Sequence, residues 1–166
     1  MIAERWGFSR TQLDEFSLAS HEKAAKAQAD GAFDEEIVPM TTPDGTVVRA
    51  DEGIRPGGTL EKLGSLKTPF KEDGVISAGN ASQISDGSAA LLMMTSEKAA
   101  QLGMTPIARV HSVALAADDP VIMLTARVPA TKKVLDRSGL RLDEIGVFEV
   151  NEAFASVPLA WQAEIG

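Results

Sequence analysis

The sequence predicts an α/β fold: a loop-rich lobe followed by strands and helices in alternation. Three observations carry this. From Ser88 onward, continuous apolar runs alternate with short helical patterns, the order that builds a parallel, helix-covered sheet. From Pro39 to Gly87 the chain is dense in Gly, Pro, Asp and Ser, and its elements are short. The composition, 44% apolar with 5% aromatics, is that of an Ala-, Val- and Leu-rich α/β protein.

Ser9-Arg10-Thr11-Gln12 is a capping-box pattern and opens a helix expected to run to about Asp30, with Gly31 as its stop. Its apolar face is Leu13, Phe16, Ser20, Ala24 and Ala27; Glu15, Glu22, Lys26 and Asp30 form the solvated side. "EEIVPM" and "TVVRA" flank Thr42-Pro43-Asp44-Gly45, a turn-forming sequence, so a hairpin is expected, with Pro39 confining its strand to an edge. "TLEKLGSL" gives barely two helical turns, closed near Gly64. "SAALLMM" reads as a strand buried on both faces, and "SEKAAQLG" as a short helix capped by Ser96 and stopped by Gly103. "IARVHSVAL" and "EIGVFEV" read as further strands. Between them "PATKKVLDRSG" is a helix with Pro129 near its first turn and Gly139 beyond its last. Pro158 predicts a kink, or a helix beginning later than the pattern around it suggests.

Charge and residue usage narrow the function. A net charge of −8, from 16 basic and 24 acidic residues, argues against nucleic acid as a partner. With no cysteine, these residues offer no disulfide, thiolate metal site or thiol nucleophile. His21 and His111 have no second ligand at metal spacing and read as structural; Met93, Met94 and Met123 read as core filler. The longest apolar run, Ala89 to Met94, is too short to span a membrane, and the N-terminus lacks a signal peptide's apolar core. Both point to a cytoplasmic location.

Two stretches carry chemistry. "ISAGNASQISDG" packs Gly, Asn, Ala and Ser where close backbone approach is useful, without the G-x-G-x-x-G spacing of a dinucleotide site. On residue chemistry alone, an ordinary turn-rich crossing loop is the simpler reading. "VFEVNEAFA" runs an apolar strand directly into Asn151 and Glu152, at the position where open α/β sheets hold ligands. Asn151 either caps the following helix or presents its amide to a water or substrate oxygen.

The two motifs, in this order, resemble the thiolase family of acyl-CoA acyltransferases. "SAGNASQISDGSAALLMMTSEKAAQLG" looks like that family's stretch from its loop domain into the last strand of its N-terminal half, and "EVNEAFA" like its strand-end signature. "DDPVIMLTARVPATKKVLDRSGL" resembles the segment between them, with Ala126 and Arg127 standing where the family has Gly-Pro. "WGFSRTQLDEFSLASHEKA" and "DEGIRPGGTLEKLGSLKTPF" match as well, so the likeness covers essentially the whole chain. A related condensing-enzyme branch has a histidine motif in place of Asn-Glu-Ala-Phe, which favours thiolase over ketosynthase.

The resemblance implies an internal fragment of a thiolase-like α/β fold: a loop-rich lobe plus part of the layered α-β-α sheet core. Residues 1–87 would be loop domain and the end of the N-terminal half, 88–103 the last strand and helix of that half, and 104–166 the start of the C-terminal domain. It implies thiolytic cleavage of a 3-ketoacyl-CoA with coenzyme A, or the reverse Claisen condensation. The coenzyme A thioester is then substrate, with no bound cofactor, no membrane or nucleic-acid partner, and a homo-oligomer in the complete enzyme. Asn151 matches the asparagine whose side chain holds a water in an oxyanion hole. Ser82 matches a serine bonded to the pantetheine arm, and Arg55 a basic residue at the nucleotide end. Phe70, Met123 and Phe154 match apolar walls of the pantetheine and acyl tunnel; Ala78 and Gly79 match small residues against which the ligand lies. The family's nucleophilic cysteine would precede Met1, and its second cysteine and Gly-His-Pro histidine would follow Gly166. Without a thiol, the isolated chain is expected to be inactive. The alternatives are a thiolase-like protein that carries coenzyme A or lipid without turnover, and a fragment that only pairs with a complete subunit.

Overall fold

The expected capping box forms. The Ser9 hydroxyl accepts from the Gln12 N–H at 3.2 Å, and the Gln12 side chain accepts from the Ser9 N–H at 2.9 Å. The helix that follows ends at Gly31, whose φ of +74° suits glycine and penalises a side chain. The computed structural model describes all 166 residues, as two units: Met1–Gln83 with Val150–Ala163, and Ile84–Glu149 with Glu164–Gly166.

The first unit opens with α1 (Ile2–Trp6), an element the sequence pattern did not announce, closed by Gly7 at φ +72°. Helix α2 (Arg10–Ala29) follows, then β1 (Met40–Thr41), β2 (Val47–Val48) and α3 (Leu60–Gly64). Residues 150–163, which include most of helix α6 (Ser156–Ile165), complete this unit. The core is Leu13, fully buried, against Ala3 and Ala155, with Phe8, Phe16, Val75, Ile76 and Leu159 packed around them. Burying one leucine contributes about 1.5–3 kcal/mol. Strands β1 and β2 form an antiparallel hairpin pairing Met40 with Val48 and Thr41 with Val47, and Gly45 takes the positive φ of its turn. Thr59 caps α3, its hydroxyl accepting from the Lys62 N–H at 3.2 Å. Helix α6 begins five residues after Asn151, so Asn151 is not its cap. Pro158 falls in the first turn, where its missing N–H leaves no bond unmade.

Lys71 reaches Glu4 on α1, and the N-terminal ammonium lies 3.1 Å from the same carboxylate. These two cations, Lys71 first, hold the Glu4 carboxyl at about 2, below the ordinary 4.5. Because the folded value is depressed, whatever the contact contributes is present above pH 4.5 and lost as pH falls through about 2. Side-chain carboxyl NMR should find the Glu4 midpoint near 2, and Lys71→Met should move it up; a parent midpoint near 4.5 would remove the contact.

The second unit contains α4 (Ser96–Gln101), a 3₁₀ turn at Met123–Ala126 running into α5 (Arg127–Ser138), and a second 3₁₀ turn at Leu142–Glu144. The cap of α4 is Thr95 rather than Ser96: Thr95 has the extended backbone, and its hydroxyl accepts from the Lys98 N–H at 3.2 Å. Gly103 and Gly139 end the two α-helices at positive φ, as expected. Ala126 and Arg127 carry the 3₁₀ turn into α5 without a break, and the Arg127 guanidinium closes back on the Leu124 carbonyl at 2.7 Å.

The three expected core strands require correction. Residues 88–94, 106–115 and 145–150 form no strand ladder, and the β1–β2 pair is the sheet that forms. Leu91 is 81% exposed, Leu115 82% and Val147 83%, while Met93 and Met123 are exposed rather than core filler. A strand is a relation between two backbones, and these segments pair with no second strand among the 166 residues. Cations of α5 serve two of their carbonyls instead: Lys133 donates to Leu115 O at 2.9 Å and Arg137 to Val113 O at 2.8 Å. Contiguous apolar exposure of this kind drives self-association. The isolated chain should bind a hydrophobic dye strongly and aggregate at micromolar concentration; a sharp, cooperative melt from a monomer would contradict this.

Candidate functional site

The Ser77–Gln83 loop is built around the Asn80 side chain, 2% exposed. Its Oδ1 accepts from the Ser77 N–H at 3.0 Å, and its Nδ2 donates to Val75 O at 2.9 Å and to Asp14 Oδ1 at 2.8 Å. Asp14, on α2 and 1% exposed, accepts from Arg10 Nε at 2.8 Å. Arg10 also donates to the Leu63 and Leu66 carbonyls at the end of α3. A buried carboxylate is tolerated only when paired and fully hydrogen-bonded, and this one is both.

This loop lies against the Asn-Glu-Ala-Phe stretch. The Ser82 N–H donates to Ala153 O and the Ala155 N–H to Asn80 O, each at 3.0 Å, and Ala81 pairs with Phe154 as an antiparallel bridge. Glu152 accepts from the Ser20 hydroxyl on α2 at 2.7 Å. The Phe70 ring stands edge-on to Phe154, centroids 6.4 Å apart at 80°. The Arg55 N–H donates to His21 Nδ1 at 3.3 Å, and its guanidinium lies 3.5 Å from Gln83 Oε1.

Of the residues singled out in the sequence, Arg55, Phe70, Ala78, Gly79, Ser82, Asn151 and Phe154 all belong to the first unit, and Met123 to the second. Asn151 and Ser82 are solvent-exposed, and Phe154 is half-buried. With its amide open to solvent, Asn151 is not enclosed in an oxyanion hole by these residues alone. Gly79 is small for a packing reason: a Cβ there would lie 2.7 Å from Leu63 and 2.8 Å from Leu66. Sequence reasoning missed Arg10, Asp14 and Asn80. The available signals were the i, i+4 spacing of Arg10 and Asp14 and an amide inside a loop otherwise made of small residues. No group of three or more His, Cys, Asp or Glu side chains is placed to hold a metal ion, and no helix is long and apolar enough to cross a membrane.

Comparison with known proteins settles the kinship. The family model described as thiolase, N-terminal domain, matches residues 1–97, and that described as thiolase, C-terminal domain, matches residues 104–166. The chain belongs to the thiolase family. It is 47% identical to the 3-ketoacyl-CoA thiolase of Aliivibrio fischeri, an alignment that takes in 100% of this chain and 44% of that one. It is 44% identical to the acetyl-CoA acetyltransferase of Paracoccus denitrificans, over 99% of this chain and 43% of that protein. The crystal structure of the dimeric peroxisomal thiolase of Saccharomyces cerevisiae superposes with a TM-score of 0.95 at 39% identity, covering 99% of this chain and 42% of that one. The fold class is therefore that of part of an α/β thiolase, and the chain spans less than half the length of these relatives.

Proposed function

We propose that this chain is part of an acyl-CoA acyltransferase that cleaves a 3-ketoacyl-CoA with coenzyme A, or runs the reverse condensation. The observation that carries the reading is the backbone pairing of Ser82 with Ala153. It joins the loop that resembles the family's pantetheine contact to the segment that resembles its oxyanion asparagine. In this reading the Asn151 carboxamide holds a water against the thioester oxygen, where negative charge develops. The Ser82 hydroxyl bonds the pantetheine arm, and the Arg55 guanidinium meets the nucleotide phosphates. Phe70 and Phe154 wall the tunnel, and Ala78 and Gly79 leave room along it. The whole protein is a cytoplasmic homo-oligomer.

The exposed apolar segments of the second unit favour one further reading, a fragment that pairs with a complete subunit without turning over substrate.

The test is to put Met1–Gly166 in place of the matching segment of the Aliivibrio fischeri thiolase. The chimera should cleave a 3-ketoacyl-CoA, while the cysteine-free chain alone should not. A folded chimera that binds coenzyme A without thiolysis would overturn the catalytic reading. Turnover by the isolated chain would overturn the assignment of roles.

A further inference from the structure

Asn80 engages both amide hydrogens and both of its carbonyl oxygens, and so ties together three different elements: α2 through Asp14, the approach to the loop through Val75 and Ser77, and the entry to α6 through Ala155. Both groups facing its Nδ2, a carboxylate oxygen and a backbone carbonyl, are acceptors only, so the amide has one orientation and Oδ1 faces the Ser77 N–H. Asp14 is in turn oriented by Arg10, which reaches the end of α3. The loop downstream has little of its own to hold it: Ala81, Ser82 and Gln83 are small or exposed. Its pairing with residues 153–155 rests on two backbone bonds, one accepted by Asn80 O and one donated by the Ser82 N–H. In such a pair a slip of one residue turns every side chain to the opposite face. It would carry the Ser82 hydroxyl away from the face it now occupies and bring in Ala81 or Gln83.

We propose that Asn80 is a positioning residue, oriented by the Arg10–Asp14 pair, that sets the register between the Ser82 loop and the Asn151–Ala155 segment. It thereby decides which face of the coenzyme A site the Ser82 hydroxyl presents. The ligand part of this statement rests on the function proposed above; the register part does not.

The test uses the 166-residue chain at submicromolar concentration, coenzyme A as the probe, and hydrogen exchange read by mass spectrometry. Asn80→Asp is isosteric, yet sets a carboxylate against the Asp14 carboxylate. Exchange at the Ser82 and Ala155 amides should rise about tenfold, the effect of one buried hydrogen bond, while α2 amides stay within about twofold of the parent. The Kd for coenzyme A should rise by about tenfold as well. The double variant Asp14→Asn/Asn80→Asp restores the bond between the two side chains, Asn at 14 donating to Asp at 80 and still accepting from Arg10, while Val75 O is left facing a carboxylate oxygen. It should therefore recover both readouts in part, to values clearly better than the single variant, a coupling that independent sites do not show. Faster exchange across the whole first unit in Asn80→Asp would mean a merely structural residue and overturn the proposal. So would a double variant no better than the single, or unchanged exchange at Ser82 and Ala155. If the parent chain binds no coenzyme A, the function proposed above fails, and the exchange and rescue pattern alone decides the register claim.

Discussion

In a thiolase chimera carrying this segment, Asn151→Ala lowers kcat for thiolysis by roughly 10²–10³-fold, about 2.7–4 kcal/mol of transition-state stabilisation, and leaves KM nearly unchanged. The carboxamide sits at the end of an extended apolar run, on the segment whose next residues pair with the Ser82 loop. A group that meets charge only as it develops acts on the transition state rather than on the bound substrate, so the loss appears in kcat. Asn151→Asp fares no better, since it sets a negative charge where another must form. Ser82→Ala supplies the contrast: a hydroxyl on the pantetheine arm binds ground and transition states alike, so KM rises by about five- to tenfold with kcat held. Steady-state kinetics on the three variants separates these roles. An Asn151→Ala enzyme within threefold of its parent contradicts the account.

Asp14→Ala destabilises the first unit by about 3–5 kcal/mol, because it leaves the Arg10 charge and the Asn80 amide facing a void. The value should lie toward the lower end, since Arg10 keeps the Leu63 and Leu66 carbonyls and Asn80 keeps Val75 O. Lys26→Ala, which breaks the exposed Lys26–Asp30 pair at the same i, i+4 spacing, costs no more than about 0.5 kcal/mol. Burial, not the count of ion pairs, separates the two. Both tryptophans, Trp6 and Trp161, belong to the first unit, so denaturation followed by tryptophan fluorescence reports on that unit. Equal midpoints for the two variants would show that the Asp14 network contributes nothing special.

What was legible in the sequence was what local chemistry determines. The Ser9–Gln12 box, the glycine stops and Pro158 in a first turn each depend on a few neighbouring residues, and every helix but α1 formed close to where it was expected. The exchange of Ser96 for Thr95 as the α4 cap shows the limit even there: two adjacent hydroxyls offer the same chemistry, and backbone geometry chooses between them. The strands failed for a different reason. Leu91, Leu115 and Val147 carry the apolar pattern of a buried strand, yet a strand forms only when a second backbone supplies the bonds. The site was half legible. Its motifs stood out as strings, but Asp14 looks in sequence like one more carboxylate on a charged helix. Only the fold brings it to Asn80, 66 residues away, and makes it an anchor.

Hydrogen exchange of the 166-residue chain with and without coenzyme A tests the central claim most directly. The account predicts slowed exchange in peptides covering residues 77–83 and 150–155, with the solvent face of α2 unchanged. Protection nowhere, or confined to residues 84–149, would contradict it.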